Sequence, residues 1–187
     1  MLDKLSTPTL SQLGAKPSAP VASEKFKDYL LFAFTAQPTE AWLVVENNWP
    51  LVDRSKRNLG VLKFIPAARW VPNLAPREPV AKLNIVPAAT AGAFKVFYDG
   101  KPLAKTKVNI AGPSGAVRTG VTAEDGGVTF TTPWRGQYVL EINYTDKTPG
   151  KHNAQSYVEV SYSTTLTFVH IDGIVAPPLP PPAKPNS

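Results

Sequence analysis

The chain has 187 residues, 20 prolines, no cysteine and a formal net charge of +6. The missing cysteine excludes disulfides, thiolate metal sites and cysteine nucleophiles. The prolines argue against long helices, because proline lacks the N–H that a helix interior needs. With 43% hydrophobic and 18% charged residues, the composition is that of a chain that folds and can bury one good core or two small ones.

Residues 1–21 are rich in Ser, Thr, Pro and Ala and lack the apolar stretch of a secretion signal, so they read as a flexible leader. Phe26, Tyr29, Leu30 and Phe34 then recur at helical spacing behind Ser23 as a cap, which predicts one short helix over 22–34. Residues 29–34 are also the longest apolar run, far short of the roughly 18 needed to cross a bilayer, so the chain is not expected to span a membrane. Strands are predicted at 42–46, 60–65 and 80–86, broken by Asn47-Asn48, Trp49-Pro50, Pro66 and Pro87. Residues 22–92 therefore form a smaller N-terminal β-rich region carrying the helix, with 88–92 as a linker.

From residue 93 the alternation is clear. Phe94, Val96 and Tyr98 share one face of a strand while Lys95, Phe97 and Asp99 share the other, and Asp99-Gly100 turns the chain. Further strands at 105–111, 117–122, 127–131, 136–143, 156–162 and 164–171 follow at intervals of about ten residues, the cadence of a sandwich. The fold class expected is all-β, with a seven-stranded Ig-like β-sandwich over 93–174. The proline-rich tail at 175–187 cannot build a core and favours an extended polyproline conformation.

Little in this sequence carries chemistry. Gly112-Pro113-Ser114-Gly115 is turn chemistry rather than a nucleophile elbow, and Glu124-Asp125-Gly126-Gly127 stands where a hairpin needs its bend. No phosphate-cradling loop or dinucleotide fingerprint is present, so the expectation is a protein that is not an enzyme. The histidines are His152 and His170; the candidate metal set is His152 with Asp146 and Glu159, because the loop 145–155 could fold over a strand. Arg54, Lys56 and Arg57 open a basic segment fit for an anionic surface, without the motif of a nucleic-acid reader. Trp49 and Trp134, each beside a proline, are the tryptophans expected to be accessible to a ligand or partner.

Four groups of residues carry a family resemblance: Asp99-Gly100-Lys101-Pro102-Leu103-Ala104, the stretch 122–130 around Asp125-Gly126-Gly127, Pro133 with Gly136 and Tyr138, and Thr164-Thr165-Leu166-Thr167-Phe168. In this order they resemble a bacterial family of secreted proteins associated with nickel and cobalt uptake. The C-terminal half looks like a transthyretin-like or carboxypeptidase-regulatory sandwich. Glu24-Lys25-Phe26, Tyr29-Leu30 and Arg54-Ser55-Lys56-Arg57 are similar to segments upstream of that sandwich, so the likeness spans about 22–171. It implies a non-enzymatic exported binding or accessory module, periplasmic or secreted, serving nickel or cobalt uptake beside a protein partner of the cell envelope or transport system. Nickel or cobalt enters by this resemblance alone; the residues themselves imply no cofactor, and without the resemblance the expected compartment is the cytoplasm. The alternative is a structural or adhesion module of an envelope assembly.

Overall fold

The structure, a computed structural model, describes residues 8, 10–13, 21–27, 29–35 and 41–179. The first half carries β1 Leu10–Leu13, β2 Ser23–Lys25, β3 Leu30–Phe32, β4 Ala41–Val45, β5 Val52–Asp53, a 3-10 turn at Ser55–Arg57, β6 Val61–Trp70 and β7 Leu83–Pro87. The second half carries β8 Ala93–Tyr98, β9 Lys101–Pro102, β10 Lys107–Ala111, β11 Val117–Val121, β12 Gly127–Thr129, β13 Gly136–Asp146, β14 Gly150–His152, β15 Gln155–Tyr157 and β16 Glu159–His170. The protein is all-β, as the alternation predicts.

One large sheet runs β1-β4-β6-β16-β13-β10-β11, with β5 continuing the edge of β6, and a smaller sheet runs β12-β8-β7 with β9 beside β8. Period-two alternation decides which side chains lie between them. On β13 Tyr138, Leu140 and Ile142 point inward, on β16 Val160, Tyr162, Leu166 and Phe168 do, and all seven are buried. The small sheet answers with Leu83, Ile85, Phe94, Val96 and Val128. Tyr138 stacks on Phe168 at 5.4 Å, and Phe94 meets the same ring at 5.9 Å. Buried Thr164 interrupts this apolar face at little cost, because its hydroxyl donates to the Leu83 carbonyl at 3.2 Å.

The sandwich extends beyond the boundary expected at residue 92. β7 pairs with β8 along its whole length, and β6 lies beside β16 in parallel register from Glu159↔Leu62 to Thr167↔Trp70. Pro66 is tolerated inside β6 because its carbonyl accepts from Glu46 N–H at 3.0 Å, on the side where β4 ends. The ring forgoes only the return bond to Glu46, just past the last residue of β4. The strands expected separately at 156–162 and 164–171 are β15 followed by the unbroken β16.

The short helix expected over 22–34 is replaced by the antiparallel pair β2–β3, with Ser23 opposite Phe32 and Lys25 opposite Leu30. Phe26 N–H donates to the Tyr29 carbonyl at 2.9 Å and the two rings stack at 4.7 Å, so the helical-looking spacing spans a turn. The physical reason is tertiary: Phe34 beyond β3 lies 4.4 Å from Trp42 and 6.0 Å from Trp70, on the outer face of the large sheet. Residues at i, i+2 and i+4 reach such a face from an extended chain, and burial outweighs a weak helical period. Of the expected leader, Leu10–Leu13 is β1, paired with β4, and the expected tail is described as far as Leu179. The rest of both segments lies outside the described residues.

Candidate functional site

β6 and β16 begin, and β13 ends, at the same end of the sandwich, and the loops there hold most of the candidate residues. The first loop leaves β5 as the 3-10 turn. Its entry is fixed by Asp53, whose carboxylate accepts from Ser55 N–H at 2.8 Å, and its exit by Asn58 in the left-handed region at φ 57°. The Ser55 hydrogen bonds hold the exposed Asp53 carboxyl below its ordinary value. This turn leaves Lys56 and Arg57 exposed. Arg54 folds back, donating to the Leu59 carbonyl at 3.2 Å and pairing with Glu159 at 2.6 Å.

The second loop is the hairpin β14–β15. Val158 N–H donates to the Val61 carbonyl at 2.9 Å, which ties the hairpin to the start of β6. A Cβ on Gly60 would approach Val158 Cγ2 at 2.9 Å, so the two loops touch. Lys63 Nζ donates to His152 Nδ1 at 3.2 Å across the same junction. Exposed apolar side chains accompany these loops: Leu59 at 52% in the first, Val158 at 48% just after the hairpin, and Val52 at 39% on β5. Around them are Arg54, Lys56, Arg57, Lys63 and Lys151, five cations against the acids Asp53 and Glu159. That local excess of three is half the formal charge of the whole chain.

The candidate metal set does not fit a metal as these side chains are arranged. Asp146 accepts from Tyr98 OH and, at 2.9 Å, from Thr148 N–H. Those donors hold its carboxyl below the ordinary aspartate value, the tyrosine contributing most. Glu159 is engaged by Arg54, and His152 presents Nδ1 to an ammonium group, a poor neighbour for a divalent cation. Among the described residues no group of three or more His, Asp or Glu is placed to hold a metal ion.

The tryptophans separate. Trp49 meets Phe64 edge-on at 5.4 Å on the outer face of the large sheet and is half-buried. Trp134 is at the opposite end of the sandwich, where it bridges to Ile174; Arg135 N–H donates to Ile174 at 2.7 Å and Ile174 N–H donates to Pro133 at 2.9 Å. Sequence reasoning thus found Arg54, Lys56 and Arg57, with Lys63 farther along the same basic segment, and missed Leu59, Lys151 and Val158. The loop 145–155, read as a flap over a strand, could have pointed to Lys151. Among the described residues no helix is long and apolar enough to cross a membrane. No family model, curated protein or solved structure matches the chain.

Proposed function

We propose that this protein is a non-enzymatic binding or accessory module whose working surface is the basic loop end, engaging an anionic partner. The observation that carries the reading is the meeting of two sequence-distant loops, 54–60 and 150–158, which with Lys63 of β6 gathers five cations around exposed apolar side chains. A rigid two-sheet frame holds such loops in fixed relation, the usual use of a sandwich. Export and service to nickel or cobalt uptake belong to the proposal through the family resemblance; the part assigned to this chain is docking, not ligation of the metal by Asp146, His152 and Glu159.

The test is a charge-reversal pair measured against immobilised polyglutamate. Lys56→Glu with Arg57→Glu should weaken binding about tenfold or more, as loss of two close charge contacts does. Arg118→Glu with Arg135→Glu, toward the opposite end of the sandwich beside Thr131 and Trp134, changes net charge equally and should weaken it about twofold. Equal losses would reduce the effect to net charge and overturn the reading. The second reading, a structural or adhesion module, is favoured by β11, an edge strand with Val117 and Val121 exposed at 63% and 58%. Self-association through that edge, with no selective loss from the Lys56 and Arg57 reversal, would put it first.

A further inference from the structure

Leu59, Val158 and Val52 are exposed at the end of the sandwich that also exposes Lys56, Arg57 and Lys151. Leu59 lies in the loop that the Arg54 guanidinium closes from behind, by its bond to the Leu59 carbonyl. Val158 is anchored through its backbone to Val61, which leaves its side chain outside the ladder. Lys56, Arg57 and Lys151 are exposed, and among the described residues none of the three has a carboxylate partner. Of the two acids of the patch, Glu159 is paired with Arg54, and Asp53 keeps its charge while it accepts from the Ser55 N–H, so the patch remains three charges positive. Flexible cations around a few short apolar side chains match a surface that is negatively charged on the outside and apolar just beneath.

Resting on the proposed reading, we infer that the loops 54–60 and 150–158 dock on the anionic headgroup surface of a lipid bilayer, with Leu59 and Val158 entering the interface. Two features favour a bilayer over an acidic protein. The exposed cations are not arranged in fixed forks: Lys56, Arg57 and Lys151 hang from a 3-10 turn and a hairpin, where they suit a diffuse field of phosphates better than one carboxylate pattern. The apolar side chains are isolated aliphatic tips rather than the aromatic cluster that anchors protein interfaces. Attraction to anionic lipid adds up over the cations and fades with salt, while the apolar contribution does not.

The experiment uses the full chain and vesicles of defined composition. Leu59→Trp places a reporter at the tip. Its emission, taken as the difference from the parent chain with its four tryptophans, should move to shorter wavelength with phosphatidylglycerol vesicles and stay unmoved with phosphatidylcholine, and lipid brominated along its acyl chains should quench it. Lys56→Glu with Arg57→Glu should lower vesicle affinity about tenfold or more, and Leu59→Ser with Val158→Thr should lower it about tenfold at about 0.15 M salt. Binding of polyglutamate without binding of phosphatidylglycerol vesicles would overturn the bilayer inference and leave the anionic-partner reading standing. Failure of both would end both. Vesicle binding indifferent to Leu59→Ser with Val158→Thr would overturn the insertion of the apolar tips.

Discussion

Tyr98 and Asp146 show how one hydrogen bond sets the charge state of both partners. Burial raises the Tyr98 hydroxyl well above its ordinary value, the bond to Asp146 raises it further, and donation to Asp146 lowers the carboxyl. A depressed carboxyl contributes stability that is present above about pH 4 and lost as pH falls through its folded value. A raised phenol contributes stability that is present below about pH 10 and lost as pH climbs towards its folded value. The pair therefore supports the fold between about 4 and 10 and loses its support on both flanks. Tyr98→Phe should lower stability at pH 7 by about 1 kcal/mol, with the charge contribution discounted because Asp146 is largely solvated. It should also flatten both flanks in urea titrations run from pH 3 to 11; an alkaline fall identical to that of the parent would dismiss the pair as its cause. Asp146 read as a metal ligand because a sequence shows a carboxylate near a loop but not the tyrosine 48 positions away that occupies it.

At the scale of elements, Arg69 is the exception to the alternation that made most strands legible. It sits on the inner face of β6 between Leu166 and Leu43 and is 4% exposed. Its guanidinium donates to the Glu78 carbonyl at 3.2 Å and to Asn84 Oδ1 at 3.1 Å, which ties the crossing segment 71–82 to the sheet beneath. Burial, and next the charge of Arg77, bring its pKa down to about 10, so it stays charged at neutral pH, with no carboxylate paired to it among the described residues. Arg69→Ala should cost about 2–4 kcal/mol, by leaving a cavity and two unpaired acceptors. Arg69→Met fills the space, removes a buried charge and should cost about 1–2 kcal/mol, read from urea midpoints. Equal costs would mean that filling the cavity recovers nothing. β8, β10 and β13 were legible because one face of each is buried and the other wet. The β2–β3 pair was not, because a window that short fits both periods and only Trp42 and Trp70 decide between them. Nor does any local pattern announce that β6 runs parallel to β16, since the partner strand lies some ninety residues on.

For the whole molecule, the question raised by that parallel pairing is whether the N-terminal half folds apart from the rest. β6 supplies backbone partners to β4 and β5 on one side and β16 on the other, so it is not an edge that two units could share lightly. The buried cluster crosses the expected boundary as well, joining Ala41, Val71, Leu83 and Ile85 to Phe94, Leu140, Leu166 and Phe168. Opening residues 22–92 alone would strip β16 of a neighbour along most of its length and expose the inner faces of both sheets, at a cost near that of full unfolding. One cooperative transition is the expected outcome. In a Trp134→Phe variant, Trp42, Trp49 and Trp70 report the first half by fluorescence, while far-UV circular dichroism weighs strands from both, β13 and β16 being the longest. The two signals should share one urea midpoint. A fluorescence transition that precedes the dichroism change would show an N-terminal unit melting by itself, and the shared core would then be weaker than its burial implies.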